Sequence, residues 1–469
     1  MQRGFQPDFS PQVRDQLAEL KKHPPLVTAG KDVRDLRNLL WSSIDNDTSR
    51  DLDQIEVAEQ GANGDVKVMI GIADVDAYVP KKSPIDEHAA RETTTVYAGV
   101  RNFPMIPEEL STGQTSLLEN QDRLAVVAEF VVDHSGIVTS SSIYRALVRN
   151  KAQLQYNSLG AWLEGNAEAP AKVAASSDLQ VQLKLQNDTA QKLKDQRTQH
   201  GALTLQSDEI LPVLLNDQVI DVTKQQKNRA TELIEDFMIA ANGVVARYLE
   251  DESSLRRVVR TPERWDRIVQ LAASKGGHLP PEPDSKALND FLIQRRAADP
   301  DHFADVSLTV IKLIGRGEYV LERPGEPAPG HFGLAVQDYT HSTAPNRRFA
   351  DVVTQRLLKA KLAGQKNPYA DDELSAIAAN CTAKEDAAKK VEREMSKRLS
   401  AVALQNKIGE VFDATVTGVT KGGTFVRVQP SHVEGLLVQA QGLDVGDRLR
   451  VKLIRTDPQK GYIDFARAQ

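Results

Sequence analysis

The sequence lacks a long apolar run and has almost no cysteine. No stretch approaches the ~20 consecutive apolar residues that span a bilayer, so we expect no membrane-spanning segment and no membrane partner. The first ten residues, MQRGFQPDFS, lack the apolar core of a signal peptide. Cys381 is the only cysteine, which excludes an internal disulfide bond and a cysteine-based zinc site. These absences predict a cytoplasmic protein.

An excess of basic charge is also missing. The 469 residues include 59 Lys and Arg against 65 Asp and Glu, a formal net charge of -6. This balance argues against a protein that coats nucleic acid without discrimination, although it allows a local basic patch. The length favours two to four domains.

The residue pattern divides the chain into three parts. Residues 1–40 predict two short helices, the first after the N-cap and first-turn pair Ser10 and Pro11. The second is predicted from the spacing of Val33, Leu36 and Leu40. The two helices form either a helix-turn-helix unit or a helical lead-in that packs on the main domain.

Residues 41–405 mix strands and helices, including a hairpin over 55–79 and an amphipathic helix in ATELIEDFMIAANGVVARYL. Residues 406–469 contain five strand candidates, which favours a small closed barrel of the OB type. Nine basic and seven acidic residues give this tail a net charge of +2, while the rest of the chain carries -8. This asymmetry predicts an anion-binding tail on an acidic body.

The segment SIDNDTSRDLDQIEV contains four aspartates in nine positions, namely Asp45, Asp47, Asp51 and Asp53. Such crowding of like charges is unfavourable and indicates that a cation belongs among them. Magnesium for phosphoryl chemistry is one candidate. A calcium loop of the EF-hand type is another, but Arg50 stands where that loop requires glycine, and a hairpin follows instead of a helix. A solvated loop without a bound ion is the third.

The same segment resembles the signature of the ribonuclease II family, hydrolytic exoribonucleases that degrade RNA from its 3′ end. Asp45, Asp51 and Asp53 match three acidic positions of that signature, whereas Gln54 replaces the fourth. Asp47 is an additional carboxylate, and we hypothesise that it compensates for Gln54. IGIADVDAYV, VYAGVRNFPMIPEELS, ELIEDFMIAAN and HFGLAVQDYTHSTAPNRRFADVVTQRLL resemble further family blocks in the family's order. VTKGGTFVRV and HVEGLLV resemble the S1-type OB fold that ends these enzymes.

The resemblance implies an α+β, or mixed α/β, fold. It implies an RNB-type catalytic domain over residues 41–405 and an S1-type OB fold over 406–469, after the helical region 1–40. It also implies Mg²⁺, or Mn²⁺, held by Asp45, Asp51 and Asp53. The catalytic residues that it implies are Asp53, Asp51 and Arg347, and the RNA-binding residues are Tyr97, Glu235, Arg347, Phe412 and Phe425.

Simpler roles compete at several of these positions. Tyr97 is expected either to stack on the terminal base or to lie in the core with a satisfied hydroxyl group. Glu235 is expected either to accept from a ribose 2′-OH or to lie on a solvated helix face. Asp74 supports the metal site or, as we favour, caps the end of a strand.

Arg347 also has two interpretations. Its spacing alone favours an i,i+4 ion pair with Asp351. The family motif favours a grip on phosphate, next to a helix that Pro345 opens and that Ser342 or Thr343 caps.

Together these expectations describe a processive 3′→5′ exoribonuclease. It would act as a monomer on single-stranded RNA and release nucleoside 5′-monophosphates. Gln54 leaves open a family-like RNA-binding or regulatory protein with a weakened centre. A calcium sensor and a DNA nuclease are two further hypotheses that the acidic cluster allows.

Overall fold

The first helix packs on the main body of the protein. The computed structural model describes residues 3–206, 209–215, 218–225, 227–420 and 422–468. Helix α1 (Pro11–Lys22) begins as predicted, since the Ser10 hydroxyl oxygen accepts a hydrogen bond from the Val13 N–H at 3.3 Å. α1 buries Val13 and Leu17 in the main hydrophobic core, as expected for a helical lead-in.

The second predicted helix is wrong, and with it the helix-turn-helix unit. Val33–Asp35 is a short strand, β1, which pairs in parallel with the strand at Arg145–Leu147. The Leu36 N–H donates to the Leu147 carbonyl oxygen at 2.9 Å. These cross-strand bonds replace the helical ones, and Leu36 and Leu40, on either side of the turn that follows β1, pack against the main core.

The body is built on a seven-stranded mixed sheet with the order β1-β8-β7-β4-β3-β2-β9. Besides β1, its strands are β2 (Ser42–Asp45), β3 (Gln54–Gln60), β4 (Val66–Ala73), β7 (Asp122–Val132), β8 (Val138–Arg149) and β9 (Ala152–Gln155). The β3–β4 hairpin confirms the prediction made from the Gly- and Asn-rich turn, in which Asn63 has φ 57°. A separate hairpin joins β5 (Val96–Tyr97) and β6 (Asn102–Phe103).

Helices pack around this sheet and share its core. They are α2 (Pro84–Glu92), α3 (Tyr156–Leu163), α4 (Ala171–Ala174), α5 (Ser177–Gln199), α6 (Arg229–Tyr248), α10 (Phe349–Leu362) and α11 (Asp371–Leu404). α6 is the predicted amphipathic helix and buries Leu233 and Phe237. α5 is a long helix with one buried face, because Leu183 and Leu193 join the main core.

Smaller units complete the body. Two-stranded sheets pair β10 (Glu209–Leu215) with β11 (Gln218–Gln225) and β12 (Ser254–Val258) with β13 (Glu318–Glu322). Helices α7 (Trp265–Ser274), α8 (Ser285–Ala298) and α9 (Phe303–Ile314) enclose a second apolar cluster.

The C-terminal region forms the predicted closed five-stranded barrel. Its strands are β14 (Val411–Thr420), β15 (Gly423–Val428), β16 (Glu434–Leu437), β17 (Arg448–Asp457) and β18 (Tyr462–Arg467), in the order β14-β15-β16-β18-β17. Val416, Val426 and Phe465 fill the barrel, and Leu404 of α11 packs into the same cluster. Lys421, one of the basic residues counted in this tail, lies outside the described residues.

Among the helices of the described ranges, none combines the length and the apolar character needed to cross a bilayer.

Candidate active site

Two neighbouring strands bring the predicted acidic residues to one edge of the sheet. β2 ends at Asp45, the chain loops through Asp51, and Asp53 immediately precedes β3, which pairs antiparallel with β2. The Asp45 Oδ1 atom accepts from the Asn46 N–H at 2.7 Å and from the Ser49 hydroxyl at 2.8 Å. Burial raises the pKa of Asp45, and the charge of Asp51 adds to this effect.

Asp53 is the most buried carboxylate of the three, with 2% exposure. Its Oδ1 accepts from the Asn346 N–H at 2.8 Å, and its Oδ2 faces the Arg347 Nε at 3.3 Å. Burial raises the pKa of Asp53 to about 7, even though Arg347 and the Asn346 N–H favour the charged form. A further positive charge next to Asp53 would therefore stabilise the ionised form of its carboxyl group.

The turn over residues 344–348 carries Arg347 and differs from its prediction. α10 begins at Phe349 and not at Pro345, because Arg348 has an extended backbone (φ -136°, ψ 125°) and pairs with Thr94 in an isolated β-bridge. No helix therefore begins at Pro345 for Ser342 or Thr343 to cap; the Ser342 hydroxyl donates to Asn242 at 2.8 Å. The predicted helix N-terminus for phosphate is absent at this position.

The alternative ion pair between Arg347 and Asp351, which spacing alone favours, is not formed. Asp351 is fully buried and accepts from the Arg348 Nε at 2.9 Å, the Arg348 Nη2 at 2.8 Å and the Ala344 N–H at 2.8 Å. Arg347 points to Asp53 instead, and 44% of its side chain remains exposed. The exposed part of the guanidinium can therefore donate to a second anion.

Tyr97 lies beside the same cluster, on β5. Its hydroxyl donates to the Asp51 Oδ2 at 3.0 Å, and its N–H donates to Glu392 of α11 at 3.3 Å. Burial and the Asp51 charge raise the pKa of the Tyr97 hydroxyl, which keeps it a donor. With 38% exposure, Tyr97 is not a core tyrosine, and its hydroxyl contacts the acidic cluster through Asp51.

Other predicted residues lie outside this contact network. Glu235 is exposed on α6 and forms an ion pair with Lys227 at 2.7 Å. Asp47 is exposed in the loop, whereas Gln54 is buried at the start of β3. Phe412 and Phe425 lie half-buried in the barrel, where the Phe412 ring packs edge-on against Phe465.

Asp74 has the contacts of a structural residue, as we favoured from the sequence. Its buried carboxylate accepts from the Ala77 N–H at 3.2 Å, which caps the turn after β4. It also pairs with Lys359 at 2.8 Å and Arg145 at 3.4 Å. These contacts tie β4 to α10 and β8.

Asn346 and Glu56 were not among the residues predicted from the sequence. Asn346 has no motif of its own, and its role at Asp53 depends on a backbone N–H. Glu56 is fully buried on β3, and neither carboxylate oxygen has a hydrogen-bond partner among the described residues. Burial and the nearby Asp45 charge raise the pKa of Glu56 well above its usual value. The feature of the sequence that could have identified Glu56 is an acidic residue between two apolar ones, Ile55 and Val57.

The donor atoms at this edge fit magnesium or manganese in their chemistry. Carboxylate oxygens of Asp45, Asp51 and Asp53 are hard ligands, and the raised pKa of buried Asp53 indicates that its negative charge lacks full compensation. Among the described residues, no three or more His, Cys, Asp or Glu side chains are already arranged to hold a metal ion. Binding would therefore require these side chains to adjust.

The buried Asp53 also predicts a pH dependence of stability. Its pKa is about 7 in the folded protein and ~4 when unfolded, so folding favours the protonated form. The free energy of unfolding should therefore fall as pH rises from ~4 to ~7, with a loss of about 2–3 kcal/mol between pH ~5 and ~8 from this group. Over the same pH range, the free energy of unfolding of Asp53→Asn should fall by about 2–3 kcal/mol less than that of wild type. Urea unfolding in EDTA measures this difference. Asp236, whose pKa burial also raises to about 7, contributes equally to both proteins. An unchanged loss in the variant would contradict the prediction.

Two models of known protein families match this chain. An RNB domain matches residues 33–364, and an RNase II-type exonuclease C-terminal S1 domain matches residues 410–468. The chain belongs to the RNB-domain family, which confirms the resemblance drawn from its motifs and the mixed α/β fold with a terminal barrel.

The similar proteins found include Ribonuclease R from Thermotoga maritima, 30% identical over 92% of this chain and 64% of that protein. Ribonuclease R from Escherichia coli is 29% identical over 97% of this chain and 59% of its own length. The chain thus spans about three-fifths of these relatives. The apo structure of Mycoplasma genitalium RNase R, 22% identical, shares the fold with a TM-score of 0.86 over 99% of this chain and 76% of that one. A structure of that protein with ribose methylated single-stranded RNA superposes equally well.

Proposed function

We propose that this protein is a metal-dependent 3′→5′ exoribonuclease that acts on single-stranded RNA and releases nucleoside 5′-monophosphates. The observation that carries the proposal is the junction of Asp53, Arg347 and the Asn346 N–H beside Asp51 and Tyr97. It combines an acidic edge for divalent ions with a cationic donor for phosphate. Family membership and the RNA-bound relative support the same activity.

Each residue of the junction has a role in the proposed reaction. Asp45, Asp51 and Asp53 would hold Mg²⁺ or Mn²⁺, which when bound lowers the pKa of water and offsets charge on the phosphate. Arg347 would donate to the phosphate from the exposed part of its guanidinium. The Asn346 N–H fixes the orientation of Asp53, and the Tyr97 ring offers a stacking surface to the terminal base.

The test is degradation of 5′-labelled single-stranded RNA, with magnesium and then with EDTA. We expect a ladder that shortens from the 3′ end in magnesium only, together with 5′-monophosphates among the products. A DNA strand of the same sequence serves as the matched control and should remain intact. Metal-independent degradation, or cleavage within the strand, would contradict the proposal.

A second candidate function is RNA binding by a catalytically weakened family member. Gln54 favours it, because a neutral amide at the start of β3 is a weaker ligand for a hard cation than a carboxylate. In the same assay this candidate predicts RNA binding without any ladder in either magnesium or manganese.

A further inference from the structure

The first described residues lie across two helices beside the proposed active site. We call residues 3–6 the N-terminal strap. Arg3 pairs with Glu394 at 3.1 Å, and Lys384 donates to the Gly4 carbonyl oxygen at 2.6 Å, so two contacts join the strap to α11. The Gln6 N–H donates to the buried Glu92 carboxylate of α2 at 3.0 Å. The strap therefore bridges α11 and α2.

Phe5 anchors the strap in an apolar cluster of its own. With 9% exposure, it packs with Val96 and Ala388, and Phe103 covers part of the same cluster. The Lys384 ammonium group lies 4.7 Å from the centre of the Phe5 ring. Val96 and Phe103 pair across the β5–β6 hairpin, so Phe5 packs against two paired residues of this hairpin.

The residue after Val96 is Tyr97. Neighbouring residues of a strand point to opposite faces, so the buried Val96 side chain leaves the Tyr97 ring on the other, partly exposed face. The Tyr97 N–H is bonded to Glu392, and its hydroxyl is bonded to Asp51. A shift of the hairpin would therefore change the distance between the Tyr97 ring and the acidic cluster.

We propose that the N-terminal strap positions Tyr97, and that Phe5 thereby determines the length of the shortest RNA that the protein still degrades. This inference rests on the proposed function. A stack on one aromatic ring strengthens binding by about tenfold or more per base. A long strand has many other contacts, whereas an RNA of a few nucleotides depends strongly on this one. Phe5 is thus a positioning residue for product length.

The test compares Phe5→Ala and the milder Phe5→Leu with wild type. Phe9→Ala is the matched control, because Phe9 packs on His88 at 4.6 Å and on the main core, away from the hairpin cluster. For Phe5→Ala we expect the shortest product to lengthen by about one nucleotide or more. Affinity for an RNA of about five nucleotides, measured in EDTA, should fall about tenfold, the equivalent of one base stack. Phe5→Leu should show a smaller change in the same direction.

Affinity for a long strand should change less than about twofold in all three variants, and Phe9→Ala should keep the wild-type product length. If both Phe5 variants, folded by circular dichroism, give the wild-type product length and short-RNA affinity, the inference is overturned while the exonuclease proposal stands. If wild type itself gives no ladder, the proposed function fails, and the product-length inference fails with it.

Discussion

Asp53→Asn should abolish most RNA hydrolysis and leave RNA binding nearly intact. We expect turnover to fall by on the order of 10³-fold or more, which corresponds to about 4 kcal/mol of transition-state stabilisation. The asparagine side chain can still accept from the Asn346 N–H, so the turn that carries Arg347 keeps one of its anchors. It no longer offers a charged oxygen to a divalent ion or to Arg347. The loss should therefore appear in turnover and in metal affinity.

Turnover is measured by single-turnover degradation of labelled RNA. Metal affinity is measured by Mn²⁺ binding, followed with electron paramagnetic resonance. Asp195→Asn makes the same change at an exposed position of α5 and serves as the control, with activity close to wild type. RNA affinity in EDTA should change less than about threefold, because the substitution removes one negative charge and no phosphate donor. Full activity of Asp53→Asn would remove Asp53 from the proposed mechanism.

The local parts of the fold followed from sequence patterns. The β3–β4 hairpin has its own turn signal, α6 has a regular apolar face, and the five strands of the barrel are each bounded by turn residues. These features depend on neighbours in the chain. β1 was mistaken for a helix because three apolar residues at helical spacing also suit a short strand followed by a turn, and its partner strand lies more than a hundred residues away.

Several residues of the candidate site were predicted from the sequence, but their contacts were not. The aspartates of the β2–β3 loop were found because they are adjacent in sequence. The partner of Arg347 was missed, since Asp53 and Arg347 are 294 positions apart and no local rule connects them. Glu56 was missed because an acidic residue between two apolar ones suggests a strand with one solvated face. β3 lies inside the seven-stranded sheet, and five of its seven residues are buried.

Arg347→Lys should separate turnover from binding. Lysine keeps the positive charge, so RNA affinity should change less than about threefold. It cannot donate from one planar group to both Asp53 and a phosphate, an arrangement that the Nε contact at 3.3 Å and the exposed remainder of the guanidinium allow. We therefore expect turnover to fall about 10²-fold, the typical cost of removing one preorganised donor from a transition state.

The control for this substitution is Arg260→Lys, which changes an exposed arginine paired with Glu318 and should leave turnover unchanged. Binding in EDTA and single-turnover rates in magnesium give the two quantities independently. Equal turnover in Arg347→Lys and wild type would show that charge alone is sufficient at this position. A large loss of affinity with normal turnover would assign Arg347 to capture of the strand. A selective loss of turnover is the result that the Asp53–Arg347 contact predicts, because the charge remains while the two-partner geometry is lost.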